Sequence, residues 1–248
     1  MKVFISVDIE GVTGVTHWDE TELSNGVYAA AAKQMTREAL AACEGAIEAG
    51  ADEIVIKDGH DSARNLDITV FPDCVKVIRG WTNTPESMMA GIDETFDAAM
   101  MIGYHSEAGS GRNPLSHTMN CGNNYVKING RRSAEFDMNT YVAAYYGVPV
   151  VFLSGDEGLC EHAKELVPAI ETVGVKNGVG SATFNLAPQK ACSLIKEGAK
   201  AALSKIAECR LESPESFELE INFKECVNAL RGSYYPGAEQ IDERTVRF

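Results

Sequence analysis

Short apolar segments alternate with longer helical patterns through most of the 248-residue chain. Apolar strands separated by helices are typical of βαβ units, in which helices cover both faces of a parallel sheet. The pattern therefore predicts an α/β fold with three αβα layers and a mostly parallel sheet. The predicted strands are Val3–Ile9, Glu53–Lys57, Val75–Ile78, Ala98–Ile102, Tyr125–Ile128 and Val148–Leu153, and the predicted helices are Tyr28–Ala49, Pro85–Met89, Ala134–Tyr146 and Gly158–Leu166.

The pattern changes in the last quarter of the chain. Gln189–Cys209 predicts one long helix, and Phe217–Phe223 alternates apolar and polar residues as a half-exposed strand does. Thr245–Phe248 predicts a short final strand. We therefore expect two domains, an α/β domain over residues 1–187 that carries the chemistry and a smaller α+β unit over residues 188–248.

Composition and charge exclude several classes of protein. Apolar residues make up 45% and charged residues 23% of the chain, as in ordinary globular domains. The net charge of −14 repels phosphate backbones, so we expect no nucleic-acid partner. Seven cysteines without a C-x-x-C motif disfavour a disulfide framework, and we find neither a signal peptide nor an apolar segment long enough to span a bilayer. We expect a cytoplasmic protein without membrane contact.

Acidic and histidine side chains follow three of the predicted strands. Asp8 and Glu10 end the first strand and share a face because they are two residues apart. His60 follows the second strand and His105 the fourth. Each alone has a plain structural explanation, but the carboxyl ends of parallel strands are where α/β sheets place their ligands. Carboxylates and imidazoles without thiolates suit Zn²⁺ or a related divalent ion.

Two further candidates lie later in the chain. Glu135 begins a predicted helix, where it is either a metal ligand or an acid that complements the helix dipole. His117 lies in a loop rich in Gly, Ser, Asn and Pro. A histidine held over the mouth of a sheet can act as an acid–base catalyst or stabilise an anion.

Five motifs, taken in order, resemble those of the D-aminopeptidase family, peptidase family M55. The resemblance runs from the first residues to about residue 180 and more loosely to the end. The family pattern continues past Phe248 with a further helix, which leaves the completeness of the C-terminal unit open. The motifs are S-V-D-I-E-G at 6–11, K-D-G-H at 57–60, G-Y-H at 103–105, S-H-T-M at 116–119 and A-E-F-D-M-N-T-Y at 134–141.

The resemblance implies a centre of two zinc ions per subunit, bridged by Asp8. Glu10 and His60 would complete the coordination of one ion, and His105 and Glu135 that of the other. Three carboxylates then nearly balance the charge of two Zn²⁺ ions. Such ions lower the pKa of water toward about 7 and so supply a nucleophile at neutral pH.

The resemblance also implies the reaction and the assembly. The reaction is release of an N-terminal residue, a D-amino acid such as D-Ala, from short peptides or amides. His117 matches the residue with a nucleophile-type role in the family; we favour acid–base or oxyanion duty, because zinc-activated water makes an acyl-imidazole unnecessary. Family members are homo-oligomers, decamers whose internal channel admits short peptides.

Two other functions stay open. A two-metal phosphoesterase would need Arg or Lys near the metals, and only Arg64 and Arg112 lie close to the motifs. A metal-dependent peptide-binding protein would need the ligands without turnover. Release of D-Ala from D-Ala-D-Ala would distinguish the peptidase from both.

Two acids and a glycine-rich segment are further candidate features near the motifs. Asp58 and Asp61 flank His60 and either orient its imidazole or are surface acids. The glycine-rich segment Gly174–Gly180 lacks the G-x-G-x-x-G spacing and predicts a loop. Within it, Lys176 is a candidate contact for a substrate carboxylate.

Overall fold

The computed structural model describes residues 1–248. The helices are α1 (Tyr28–Glu48), α2 (Glu135–Tyr145), α3 (Glu157–Leu166), α4 (Pro188–Ala202) and α5 (Cys226–Gly232). The strands are β1 (Lys2–Val7), β2 (Glu53–Asp58), β3 (Val75–Ile78), β4 (Ala98–Tyr104), β5 (Asn123–Ile128), β6 (Arg131–Arg132), β7 (Val150–Asp156), β8 (Glu171–Val179), β9 (Ala182–Asn185), β10 (Leu219–Phe223), β11 (Glu239–Gln240) and β12 (Thr245–Arg247).

A seven-stranded sheet forms the centre of the fold, in the order β3-β2-β1-β4-β7-β8-β9. Adjacent strands in this sheet are parallel, except that β8 and β9 form an antiparallel hairpin. Helices α1 and α4 pack together over one face, and α2 and α3 cover the other. This confirms the predicted three-layer α/β fold. The strand order reverses between β1 and β4, and such a switch point opens a crevice at the carboxyl ends of the strands.

A second, antiparallel sheet has the order β11-β12-β10-β5-β6. Strand β5 comes from the middle of the chain and pairs with β10, with Val126 opposite Ile221. The loop between β4 and β5 therefore runs from one sheet to the other. The domain boundary at residue 188 stays a prediction. Contacts link the two sides of it in two places: β5 and β6, which precede residue 188, belong to the second sheet, and α4, which follows residue 187, packs on α1.

The glycine-rich segment Gly174–Gly180 is not a loop, so that prediction is wrong. Most of it belongs to β8, which pairs with β7 and β9. Neighbouring atoms occupy the space that a side chain would need at these glycines. A Cβ at Gly178, for example, would lie 2.6 Å from the carbonyl oxygen of Arg112. The predicted helix Gln189–Cys209 is also shorter than expected, because α4 ends at Ala202 and continues as a single 3₁₀ turn.

The backbone after β1 lies directly against the backbone at the end of β4. The amide of Gly11 donates to the carbonyl of Gly103 at 2.8 Å. A Cβ at Gly11 would lie 1.7 Å from the carbonyl oxygen of Tyr104, and one at Gly103, whose φ is +71°, would lie 2.3 Å from that of Asp8. Only glycine fits at these two positions, and the close approach brings Asp8 beside the end of β4.

One hydrophobic core of 51 buried residues lies between the first sheet and its helices. Met88, Met89, Met100 and Met101 belong to it, as expected from packing alone. All seven cysteines are unpaired. None of the helices combines the length and apolar character needed to cross a membrane.

Candidate metal centre

The five side chains predicted as zinc ligands converge at the switch point of the first sheet. Three follow the adjacent strands β2, β1 and β4, one lies in the turn after β1, and one is the first residue of α2. Each is less than one tenth exposed. They are His60, Asp8, His105, Glu10 and Glu135 respectively.

Asp8 lies between the two imidazoles and directs one carboxylate oxygen at each. Its Oδ1 is 3.3 Å from Nδ1 of His60, and its Oδ2 is 3.5 Å from Nε2 of His105. Oε2 of Glu10 is 3.1 Å from His60 Nδ1, and Oε2 of Glu135 is 3.7 Å from His105 Nε2. The arrangement suits a carboxylate that bridges two cations, one on each side.

The donor atoms fit divalent metal ions. Ligand atoms of Asp8, Glu10 and His105 lie within 4.8 Å of one another, as do those of His105, His117 and Glu135. Oε2 of Glu10 and Nε2 of His105 are buried without a well-formed hydrogen bond. Buried polar atoms without partners are costly unless an ion or water satisfies them. Which residues share which ion stays a prediction.

Charges in the centre shift the pKa values of its residues. Burial and the charge of Glu10 raise the pKa of Asp8 to about 7. Burial lowers the pKa of His60, but the charges of Glu10 and Asp8 and the hydrogen bonds to their carboxylates together outweigh burial and raise that pKa to about 12. In the same way, the charges of Glu135, Glu10 and Asp8 together outweigh burial and raise the pKa of His105 to about 9. The excess of buried carboxylates therefore favours the binding of positive charge, and a divalent cation supplies more positive charge than a proton.

A backbone carbonyl fixes each ligand imidazole through the nitrogen that faces away from the carboxylates. Nε2 of His60 donates to the carbonyl of Thr21 at 2.8 Å, which leaves Nδ1 directed at the acids. Nδ1 of His105 donates to the carbonyl of Ser106 at 2.9 Å, which leaves Nε2 directed at them. Such partners set the tautomer of a metal-binding histidine.

Asp58 does not orient the His60 ring, so that hypothesis is wrong. Its buried carboxylate accepts hydrogen bonds from the backbone amides of Asn65 at 2.6 Å and Leu66 at 2.9 Å. The Asn65 side chain links this carboxylate to the carbonyl of His60, at 2.7 Å from each. Asp58 thus fixes the loop rather than the imidazole. Asp61 is exposed and lines the cavity, with its φ in the left-handed region at 40°.

Lys176 lies beneath the turn that carries Glu10, not in the cavity. Its ammonium donates to the carbonyls of Glu10 and Val15, and Asn113 donates to the same Glu10 carbonyl at 3.0 Å. The residue is 2% exposed, and burial lowers its pKa to about 8. The hypothesis that Lys176 contacts a substrate carboxylate is therefore wrong; it supports the ligand turn from below.

His117 stacks on the ring of His105, with centroids 4.3 Å apart and planes 13° from parallel. Its Nδ1 donates to the carbonyl of Leu115 at 3.0 Å, and its Nε2 is 3.5 Å from Oε1 of Glu135. Burial and the charge of His105 lower the pKa of His117, so its ring is neutral at pH 7 with Nε2 as acceptor. The loop thus holds a free imidazole nitrogen beside the candidate ligands.

A cavity of about 480 Å³ opens above these residues, and both tryptophans of the chain line it. Trp18 meets the His117 ring edge-on at 5.4 Å. The indole of Trp81 donates to the carbonyl of Asp61 at 2.6 Å, and the buried ammonium of Lys57 lies 4.3 Å from its ring centre. No motif marked either tryptophan in the sequence. Together they give the acidic cavity two rigid apolar walls.

Comparison with known proteins decides the family. The family model of peptidase M55, described as D-aminopeptidase, matches residues 1–248. The chain belongs to the D-aminopeptidase family. The resemblance predicted from five short motifs is therefore confirmed over the whole length of the chain.

Two relatives in this family align with the complete chain. The D-aminopeptidase of Bacillus subtilis (strain 168) is 34% identical over 253 residues, which cover 100% of this chain and 91% of that protein. A solved structure, the Zn-dependent D-aminopeptidase DppA from Bacillus subtilis, described as a self-compartmentalizing protease, has a TM-score of 0.94 at 32% identity. This alignment also covers 100% of this chain and 91% of the chain in the solved structure.

In this D-aminopeptidase family member, a buried aspartate fixes the start of α2. The carboxylate of Asp137 accepts hydrogen bonds from the amide of Ala134 at 2.8 Å, Nε2 of His162 at 2.7 Å and Nε of Arg131 at 3.1 Å. Asp137 is fully buried, so its two cationic partners offset the cost of removing its charge from water. No local sequence pattern marks this cluster, which holds the helix that begins at Glu135.

Replacing His162 with Gln is expected to destabilise the protein more near pH 6 than near pH 9. Burial lowers the pKa of His162, but the hydrogen bond to Asp137 and the charge of that carboxylate together outweigh burial and the nearby Arg131 charge, so the pKa is raised. A raised folded-state pKa adds stability below the unfolded value of about 6.5, and that stability is lost as pH rises through the folded value. Urea unfolding at both pH values measures this; an equal loss at both would contradict it.

Proposed function

We propose that the protein is a two-zinc aminopeptidase that releases an N-terminal D-amino acid, such as D-Ala, from short peptides or amides. The observation that carries this is the buried cluster of five carboxylate and imidazole ligands with Asp8 between two histidines. Family membership supports the reaction class, and the zinc dependence of the Bacillus subtilis relative supports the metal. The same relatives support the D-configuration of the substrate.

The residues of the site would have two roles, metal binding and proton transfer. Asp8, Glu10, His60, His105 and Glu135 would hold the ions. Zinc bound there would lower the pKa of water and polarise the scissile carbonyl.

The neutral Nε2 of His117 is free to take a proton from the attacking water and to pass it to the leaving amine. Its ring is held by Leu115 and packed between His105 and Trp18, so the nitrogen keeps one direction. This fixed direction is the reason that we assign it acid–base duty.

The cavity disfavours the phosphoesterase alternative. A phosphoryl-transfer site places Arg or Lys where negative charge develops on the phosphate oxygens. No Lys or Arg lines this cavity, whose walls carry five carboxylates. An acidic cavity instead attracts the ammonium group at the N-terminus of a peptide.

We also propose that the protein works as a homo-oligomer, a decamer in the cytoplasm. The self-compartmentalizing character of the Bacillus subtilis structure supports an enclosed assembly, which would admit short peptides and exclude folded proteins. Seven unpaired cysteines support a reducing compartment. Light scattering coupled to size exclusion measures the subunit number.

Elemental analysis together with turnover tests the proposal. Purified protein should carry about two zinc ions per chain and should release D-Ala from D-Ala amide at least about tenfold faster than L-Ala from L-Ala amide. A chelator should abolish the release, and added zinc should restore it. Binding of D-Ala-D-Ala without release of D-Ala would favour the peptide-binding alternative, and hydrolysis of phosphate esters alone would favour the phosphoesterase.

A further inference from the structure

The cavity above the metal centre suits only one end of a peptide. Its walls carry carboxylates and no lysine or arginine. Three of these carboxylates belong to the candidate ligands, and the other two, Glu22 and Asp61, are exposed. Two Zn²⁺ ions would balance the three ligand carboxylates, so Glu22 and Asp61 give the cavity its acidic character; they attract an N-terminal ammonium group but repel the carboxylate at the other end of a short peptide. A substrate with a free C-terminus therefore needs a cation outside this cavity.

A second cavity of about 440 Å³ adjoins the first and shares Glu22 and Asp61 with it. Arg64 is its only cationic residue, and the guanidinium makes no ion pair or hydrogen bond within the chain; only the backbone carbonyl accepts one. Arg112, the other arginine near the motifs, is already paired with Glu161 at 2.9 Å. The other residues of the second cavity are Leu23, Ser24 and Ser62.

Arg64 lies on the same fixed loop as the candidate ligand His60. Asp58 holds the far side of this loop through the amides of Asn65 and Leu66, and Asn65 ties it back to the His60 carbonyl. Four residues span at most about 14 Å, and an extended dipeptide spans about 7 Å. The span of the loop therefore allows the Arg64 guanidinium to meet the second or third residue of a peptide whose N-terminus lies at the metal centre.

We propose that Arg64 binds the C-terminal carboxylate of di- and tripeptide substrates and so determines specificity for free short peptides. A guanidinium matches a carboxylate with two parallel hydrogen bonds, and nothing within the chain competes for this one. The inference rests on the proposed aminopeptidase function. It extends the substrate site from the ligands, across Glu22 and Asp61, into the second cavity.

Steady-state kinetics on two substrates tests the inference. D-Ala-D-Ala has the carboxylate and D-Ala amide lacks it. In the zinc-loaded Arg64→Ala variant, KM for the dipeptide should rise about tenfold or more with kcat little changed, and KM for the amide should stay the same. Arg64→Lys should recover part of the loss because it keeps the charge without the fork. Lys224→Ala, which removes an exposed cation near Cys121 on another wall, should change neither KM.

Tryptophan fluorescence gives a readout that does not depend on turnover, because both tryptophans line the first cavity. With zinc removed, D-Ala-D-Ala should bind more weakly to the Arg64→Ala variant than to the wild type. If the wild type hydrolyses neither substrate, the aminopeptidase proposal fails and fluorescence alone decides the role of Arg64. An unchanged dipeptide KM and Kd, an equal rise in KM for the amide, or a larger effect of Lys224→Ala would each overturn the inference.

Discussion

Substituting His117 with Ala is expected to lower kcat for D-Ala amide by about 10²- to 10⁴-fold while zinc content stays at the wild-type value. The side chain contributes a neutral Nε2 beside the ligands, held by the Leu115 carbonyl and by stacking on His105. Its loss removes the group that moves the proton but leaves all five candidate ligands. Turnover assays and metal analysis on the same preparation measure both quantities.

The chain offers a matched control in His17, whose side chain is 70% exposed. Its ring caps the short helical turn Trp18–Glu20, and His17→Asn keeps a capping acceptor there. This variant should retain kcat within about twofold. Near wild-type turnover in the zinc-loaded His117→Ala variant would exclude acid–base duty. Loss of zinc would instead identify His117 as a ligand, which its clustering with His105 and Glu135 permits.

Replacing Gly11 with Ala is expected to destabilise the protein by more than about 3 kcal/mol and to abolish zinc binding. The new Cβ would lie 1.7 Å from the carbonyl oxygen of Tyr104, a backbone atom that cannot rotate away. The end of β1 must then separate from the end of β4, which carries Asp8 and Glu10 away from His105. Urea unfolding and zinc titration measure the two effects.

Gly26→Ala is the control for the intrinsic effect of adding a methyl group. A Cβ at Gly26 would meet no atom within 4 Å. Its stability should change by no more than about 0.5 kcal/mol, and zinc binding should be unaffected. Wild-type stability and zinc binding in the Gly11→Ala variant would show that the two strand ends can move apart without disturbing the centre.

Most of the site could be predicted because parallel strands place their carboxyl ends at one edge of a sheet. Asp8, His60 and His105 follow three adjacent strands, so their convergence follows once the order of β2, β1 and β4 is given. Glu135 begins a helix, where an acid also complements the helix dipole, and the family resemblance was needed to favour its role as a ligand. The tryptophan walls of the cavity could not be predicted. Trp81 is positioned by the buried ammonium of Lys57 and by a hydrogen bond to the carbonyl of Asp61, and no local sequence pattern indicates either contact.

Parts of the fold could not be predicted because contacts between distant segments decide them. The glycines of β8 predicted a loop, but they are accommodated in a strand because neighbouring segments approach closely there. Lys176 is a charged residue that would normally be exposed, yet carbonyl groups from the first 15 residues satisfy its ammonium. Strand β5 was predicted as a strand, but its pairing with β10 lies beyond any local signal.

The pairing of β5 with β10 has a consequence for synthesis of the chain. The His117 loop ends at β5, and the strand that completes one edge of β5 lies about 90 residues later. At about 5–20 residues per second, a ribosome needs on the order of ten seconds to make that interval. We expect the nascent chain to have all five candidate ligands outside the ribosome before β10 is made and the His117 loop has its final anchor.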